Sequence, residues 1–211
     1  MARAPLSIPV NTLCVSVDNF LGENRQFLVE HIVACERDFQ MATVAHVAAS
    51  AGATRVNQNV RRARTLYNLG RFESQFVEGI KGHLPAVLEK LGYQDFPLGR
   101  FEVQATASND GDYFRLHRDT GPGDTREISF VYFLHREPRR FSGGELRIYA
   151  TRMPDGSLTP GDRLHTVSPR QDIVVFFPSR NEHEVLPVRV RSREFADSRF
   201  TVNGWIHRAQ T

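Results

Sequence analysis

Apolar residues at Phe72, Phe76, Ile80, Leu84, Leu88 and Leu91 fall on one stripe when the chain is wound at 3.6 residues per turn. This predicts a helix from about Phe72 to Leu91, with Gly92 as its stop and Pro85 as a kink or restart. A second stripe, Leu28, Ile32, Cys35 and Phe39, predicts an earlier helix. Asp18 or Asn19 would cap it, after a short strand over 12–17 (TLCVSV). His31 and His83 belong to these helices, and packing or exposure accounts for them.

After Gly92 the pattern changes to short β-rich runs separated by turn residues. The predicted strands are 101–108 (FEVQATAS), 113–117 (YFRLH), 127–134 (EISFVYFL), 144–150 (GELRIYA), 172–178 (DIVVFFP), 185–191 (VLPVRVR) and 199–205 (RFTVNGW). Helices first and closely spaced strands after them predict an α+β, mainly β chain. Its core would be a double-stranded β-helix (a cupin-like jelly roll), with N-terminal helices supporting it. No repeat or low-complexity linker divides the chain, so a single domain over 1–211 is expected, helical support over 1–95 and the jelly roll over 96–208.

Composition narrows the function classes. With 40% hydrophobic and 24% charged residues the chain has an ordinary globular balance. Net charge is +3, and the only lysines are Lys81 and Lys90. The arginines are scattered, with small clusters at Arg61, Arg62, Arg64 and at Arg136, Arg139, Arg140, and such scatter reads as a solvated surface, not a nucleic-acid stripe. Cys14 and Cys35 are too few for a disulfide framework or zinc ribbon. No apolar run is long enough to span a bilayer and the first residues lack a signal-peptide core, so a cytoplasmic protein without membrane contact is expected.

The chemistry concentrates in four residues. His117 and Asp119 end the run YFRLHRD, where residues two apart project to one face of a strand. His183 opens the run HEVLPV, and jelly-roll topology can bring two sequence-distant strands side by side. Two imidazoles and one carboxylate can hold one face of a ferrous ion and leave the other open, as in non-haem Fe(II) oxygenases. Arg199 and Thr201 point the same way on a later strand, a guanidinium fork and a hydroxyl suited to clamp a carboxylate.

Taken together, HRD, VYFLH, SGGELRIY, HEV and RFTVNGW resemble the prolyl-4-hydroxylase-like branch of the Fe(II)/2-oxoglutarate-dependent dioxygenases, over roughly 101–208. The resemblance implies that His117, Asp119 and His183 ligate iron and that Arg199, assisted by Thr201 and Ser129, binds the distal carboxylate of 2-oxoglutarate. It gives Phe133 an apolar contact where relatives carry a tyrosine, and Leu146, Val185 and Trp205 places on the pocket wall. Arg126 either borders the substrate mouth or is a surface charge beside Glu127. Segment 63–70 either closes over the pocket or connects helices, and the insert 189–198 is expected as an extended strand pair over the site.

The implied cofactors are Fe(II), 2-oxoglutarate and O2, with ascorbate in support. The implied reaction decarboxylates 2-oxoglutarate to succinate and CO2 and hydroxylates an unactivated C–H bond. Its substrate would be a prolyl residue of a protein or peptide, or free proline; the alternative is another free amino acid or small metabolite. Retention of the carboxylate ligand favours hydroxylation over halogenation. A nucleic-acid dealkylase would need a basic groove with stacking aromatics, and a silent jelly-roll binding domain would have no use for the Arg199 clamp.

Overall fold

In the computed structural model, which describes residues 12–45, 54–121, 123–151 and 163–210, the two apolar stripes form helices and the later runs form strands. In chain order the first elements are β1 (Val15–Asp18), α1 (Arg25–Ala34), β2 (Gln40–Met41), β3 (Thr43–Ala45), β4 (Thr54–Val56), β5 (Arg61–Arg62), β6 (Arg64–Leu66) and α2 (Arg71–Leu91). There follow β7 (Leu98–Ser108), β8 (Tyr113–His117), β9 (Arg126–Leu134), β10 (Phe141–Gly143), β11 (Leu146–Tyr149) and β12 (Leu164–Val167). The chain then runs through β13 (Ile173–Pro178), β14 (His183–Val185), β15 (Val188–Val190) and β16 (Arg199–Arg208).

Two antiparallel sheets face one another as a jelly roll. The larger has the order β1-β13-β9-β16-β7-β6-β2, and the smaller β12-β11-β14-β8-β5. Alternation along the strands of the large sheet separates two apolar layers. Ile128, Phe130, Tyr132 and Leu134 of β9, with Val174 and Phe176 of β13, pack against α1 and α2. Phe133 of β9 and Ile173, Val175 and Phe177 of β13 face the small sheet and meet Leu146, Ile148 and Val167. The helices therefore cover the back of the large sheet and leave its front free to build a site.

Several elements depart from the sequence reading, each for an identifiable reason. α1 starts later than a cap at Asp18 or Asn19 would place it, since β1 continues through Asp18. Asp172, at the entry to β13, instead accepts hydrogen bonds from Leu21 N and Gly22 N at 2.8 and 2.9 Å, so a distant carboxylate fixes the approach to the helix. α2 runs through Pro85 as one helix and ends at Gly92 in the left-handed conformation (φ 71°). The run 185–191 is divided into β14 and β15, because Pro187 between them has no N–H to continue a ladder.

The insert 189–198 does not form a strand pair over the site. Its start pairs as β15 with β10, and the rest turns into a 3-10 segment, Phe195–Asp197, whose Phe195 ring packs against Phe39 and Phe200. Nor does segment 63–70 close over the pocket as a loop or merely connect helices. Its residues Arg64–Leu66 form β6, paired with β7 in the large sheet.

Candidate metal and cosubstrate site

His117 ends β8 and His183 begins β14, and the two residues face one another in the antiparallel register. Between this pair and the next, Val185 opposite Phe114, β8 has one residue more than its partner. Such a bulge turns the strand's side chains out of strict alternation. Phe114 consequently lies on the same side as His117, its ring stacked on the imidazole at 3.5 Å between centroids. Asp119 follows on the same strand end, held by its N–H donating to the Ser179 carbonyl at 3.1 Å.

One ligand atom from each of His117, Asp119 and His183 lies within 4.8 Å of the others. His117 Nε2 is 3.6 Å from Asp119 Oδ1, and His183 Nε2 is 3.4 Å from Asp119 Oδ2. His117 Nδ1 donates to the Arg115 carbonyl at 2.8 Å and His183 Nδ1 to the Asn181 carbonyl at 3.0 Å. A carbonyl can only accept, so both Nδ1 atoms carry the proton and both Nε2 lone pairs point at the shared centre. Ser129 on β9 donates to Asp119 Oδ2 at 2.6 Å and lies 2.9 Å from Ser179 Oγ.

Burial alone would raise the Asp119 carboxyl, yet the two imidazoles, His183 foremost, hold it well below the usual carboxylate range. Burial and the neighbouring His183 push His117 down, with Asp119 opposing. Burial opposes protonation of His183 as well, but the Asp119 charge, its hydrogen bond and the bond to the Asn181 carbonyl together outweigh it and the net direction is up. Two lone pairs and one carboxylate, oriented before any ion arrives and largely buried, fit a divalent transition metal bound through one face.

The other end of the cavity is built on β16. Arg199, Thr201, Asn203 and Trp205 alternate with core residues and all line the cavity, together with the three candidate ligands. Arg199 is 2% exposed, and its Nε and Nη2 have no hydrogen-bond partner among the described residues. Burial pushes its pKa down to about 9, with Glu145 pulling it up and Arg139 down, so it is a cation at neutral pH. Its Cζ sits 5.0 Å from the Phe133 ring centroid, which is the apolar contact Phe133 supplies. The SGGEL run supplies room for it: Gly144 (φ 71°) lies so close that an added Cβ would stand 2.4 Å from Arg199 Cδ. An unpaired buried guanidinium needs an anion, and Arg199 lines the cavity through which one could reach it.

Most of the other predicted residues sit in or beside this cavity. Leu146, Val185 and Trp205 line it, and Thr201 stands one alternation from Arg199. Ser129 differs from expectation. It pairs opposite Trp205, at the far end of β16 from Arg199, so its hydroxyl serves Asp119 and not the clamp. Arg126 is not paired with Glu127: its partners are Glu102 at 2.8 Å, Asp124 at 3.3 Å and the Asp119 carbonyl at 3.2 Å, while Glu127 pairs with Arg208. Its guanidinium also lies 4.5 Å from the Trp205 ring, beside the cavity. Arg61 is the lining residue that sequence reasoning left among surface charges, and its two-residue strand offered no periodicity to reveal its inward turn.

The family model of the 2OG-Fe(II) oxygenase superfamily matches residues 102–207, half of the chain and the part that carries every residue of the metal and clamp ends. The chain belongs to this superfamily. Among curated proteins it is similar to an uncharacterized PKHD-type hydroxylase of Synechocystis sp., 38% identical over 198 residues. That match covers 91% of this oxygenase but 62% of the relative, so the chain spans about three-fifths of the relative's length. Among solved structures, a Pseudomonas putida prolyl-4-hydroxylase is 20% identical with a TM-score of 0.61, covering 94% of each chain. A Trichoplax adhaerens prolyl hydroxylase, solved with a hypoxia inducible factor peptide fragment, is 15% identical with a TM-score of 0.64, covering 93% of this chain and 84% of that one. At these identities the oxygenase shares their fold, and its chemistry has to be argued from its own residues. For this family Fe(II), 2-oxoglutarate and O2 are the implied cofactors. Among the described residues no helix is long and apolar enough to cross a membrane.

Proposed function

We propose that this oxygenase hydroxylates an unactivated C–H bond of a prolyl residue in a protein or peptide, or of free proline, while converting 2-oxoglutarate to succinate and CO2. The observation that carries the reading is Arg199, a buried cation whose unpartnered nitrogens share one cavity with His117, Asp119 and His183. A metal site alone would serve many reactions. A carboxylate clamp at the other end of the same cavity selects a cosubstrate long enough to reach both. The alternative, another free amino acid or small metabolite as substrate, uses the same machinery and differs only in what lies against the outer wall.

Fe(II) with 2-oxoglutarate and O2 supplies the oxidant, one oxygen atom ending in succinate and the other in the alcohol. The chain's own part is positional. His117 and His183 present fixed Nε2 donors, and Ser129 holds the Asp119 carboxylate in the orientation that meets them. Arg199, with the Thr201 hydroxyl beside it, would anchor the distal carboxylate and thereby set where the keto acid reaches the metal. Phe114, Val131 and Leu146 give the cavity apolar walls that would keep water from the reacting carbon.

The test is succinate formation from 2-oxoglutarate by protein supplied with Fe(II) and ascorbate. The expected result is turnover by the unaltered protein and none above background by His117→Ala, with its iron content lost in parallel. A protein that purifies with zinc alone and stays inert to 2-oxoglutarate after iron loading would overturn the reading.

A further inference from the structure

Arg61, Arg62 and Arg64 are neighbours in sequence with different surroundings. Arg62 lies 3.8 Å from Asp112 and Arg64 3.7 Å from Glu36, both at partly exposed ion pairs. Arg61 turns into the cavity, lines it together with His117 and Asp119, and has no carboxylate at ion-pair distance among the described residues. The pairing of β5 with β8 sets this direction by placing Arg61 opposite Phe114. Its Cζ stands 4.8 Å from the Phe114 ring centroid, and that same ring stacks on His117. The guanidinium is therefore held one aromatic ring away from a candidate metal ligand.

Its hydrogen bonds do not neutralise it. They are long and reach neutral acceptors, the Thr43 carbonyl at 3.4 Å and Thr106 Oγ1 at 3.3 Å. Thr106 Oγ1 in turn donates to Asn203 Oδ1 at 2.8 Å, so this acceptor is shared with a second group of the cavity wall. Burial pushes the Arg61 guanidinium down, and the nearby Tyr67 and Asp119 pull it up. An ion bound at the triad would draw on the Asp119 charge, and the distal carboxylate of 2-oxoglutarate would answer Arg199. Counting formal charges, a ferrous ion, Asp119, both arginines and a dianionic cosubstrate leave one positive charge over, and Arg61 is the group left without an anion.

We propose that Arg61 anchors a carboxylate of the substrate itself, so that the site takes a small free amino or imino acid in preference to an internal residue of a protein. The inference rests on the 2-oxoglutarate oxygenase reading and selects among the substrates that reading leaves open. A guanidinium fork beside the ring of Phe114 suits a planar carboxylate, which it can meet with two parallel donors. Phe114 and Trp205 would then face the rest of the molecule. An internal prolyl residue, whose carbonyl is part of an amide, offers no charge to this site.

The test uses the whole protein loaded with Mn(II), which is slow to turn over, and 2-oxoglutarate. It is titrated calorimetrically with the common free amino acids, with their amides, and with a blocked tripeptide carrying an internal prolyl residue. At least one acid is expected to bind, and its amide more weakly by about 10- to 100-fold, the scale of one charge-assisted hydrogen-bonded pair. Arg61→Gln should bring the acid to the level of its amide and leave the amide unchanged, with Arg61→Lys restoring part of the difference. Titration of 2-oxoglutarate into Arg61→Gln should stay within about twofold of the unaltered protein.

Equal binding of acid and amide, or binding of the blocked tripeptide alone, would overturn the proposal. So would an Arg61→Gln protein that weakens 2-oxoglutarate as much as it weakens the acid, since the guanidinium would then belong to the cosubstrate. The acid–amide comparison is made on the unaltered protein and stands even where the variant fails to fold. A failure of the oxygenase reading shows separately, as no binding of 2-oxoglutarate and no succinate from the iron-loaded protein.

Discussion

The two ends of the cavity treat their polar atoms in opposite ways. At the metal end each ring Nδ1 has a carbonyl and the carboxylate has a serine, so the donor atoms are aimed before anything binds. At the clamp end Arg199 is buried as deeply but Nε and Nη2 go unanswered. The first arrangement is preorganised, and its surroundings have already met the cost of orientation. The second holds a cation out of water without a partner, so stability is withheld until an anion arrives. A binding step that relieves such a deficit favours the ligand carrying the right charge at the right distance.

Removing the unsatisfied end should have the larger effect. Arg199→Met is expected to weaken 2-oxoglutarate by about 100-fold or more, as truncation of a buried charged partner does. The free protein should melt no lower than the unaltered one, because the variant also removes an unpaired buried charge. Calorimetric titration and a thermal melt on the same sample check both halves, and a large loss of melting temperature in the free variant would show that Arg199 is satisfied without ligand.

The satisfied end should respond differently. Ser129→Ala strips one hydrogen bond from Asp119 and is expected to weaken metal binding by about 10-fold. Competition with a metal-sensing dye reads this directly. At saturating metal the 2-oxoglutarate affinity of this variant should differ little, since the hydroxyl lies far along β16 from the clamp. The smallest change sharpens the contrast further. Gly144→Ala places a methyl against the Arg199 stem and should raise the KM for 2-oxoglutarate about fivefold, without altering metal affinity. A variant that lost metal first would mean that the two ends are not independent.

Much of this architecture was legible in sequence wherever an element was long enough to show its period. α2 appears with its six-residue stripe and its Gly92 stop, and β8 has the predicted bounds of 113–117. His117, Asp119 and His183 could be singled out because strand alternation and jelly-roll topology give a reason for them to meet. Residues whose direction depends on tertiary pairing were not legible. Arg61 lies on a two-residue strand, and its inward turn follows from the register with Phe114. Ser129 alternates with core positions in β9 as expected, but which cavity end it serves depends on where Asp119 lands after the β8 bulge. The start of α1 is held by Asp172, some 150 residues away, which no local capping pattern could indicate.

One hydrogen bond at the metal end also bears on how the molecule breathes. Asp119 stands at the end of a strand of the small sheet, whereas Ser129 and Ser179 belong to the large sheet and the turn that leaves it. An ion at His117, Asp119 and His183 would tie β8 to β14 within the small sheet, and the hydrogen bonds of Asp119 with Ser129 and the Ser179 carbonyl would pass that hold on to the large sheet. Amide protons of β8 and β14 should exchange with solvent more slowly in the metal-loaded protein, while those of α2, on the far side of the large sheet, should keep their rates.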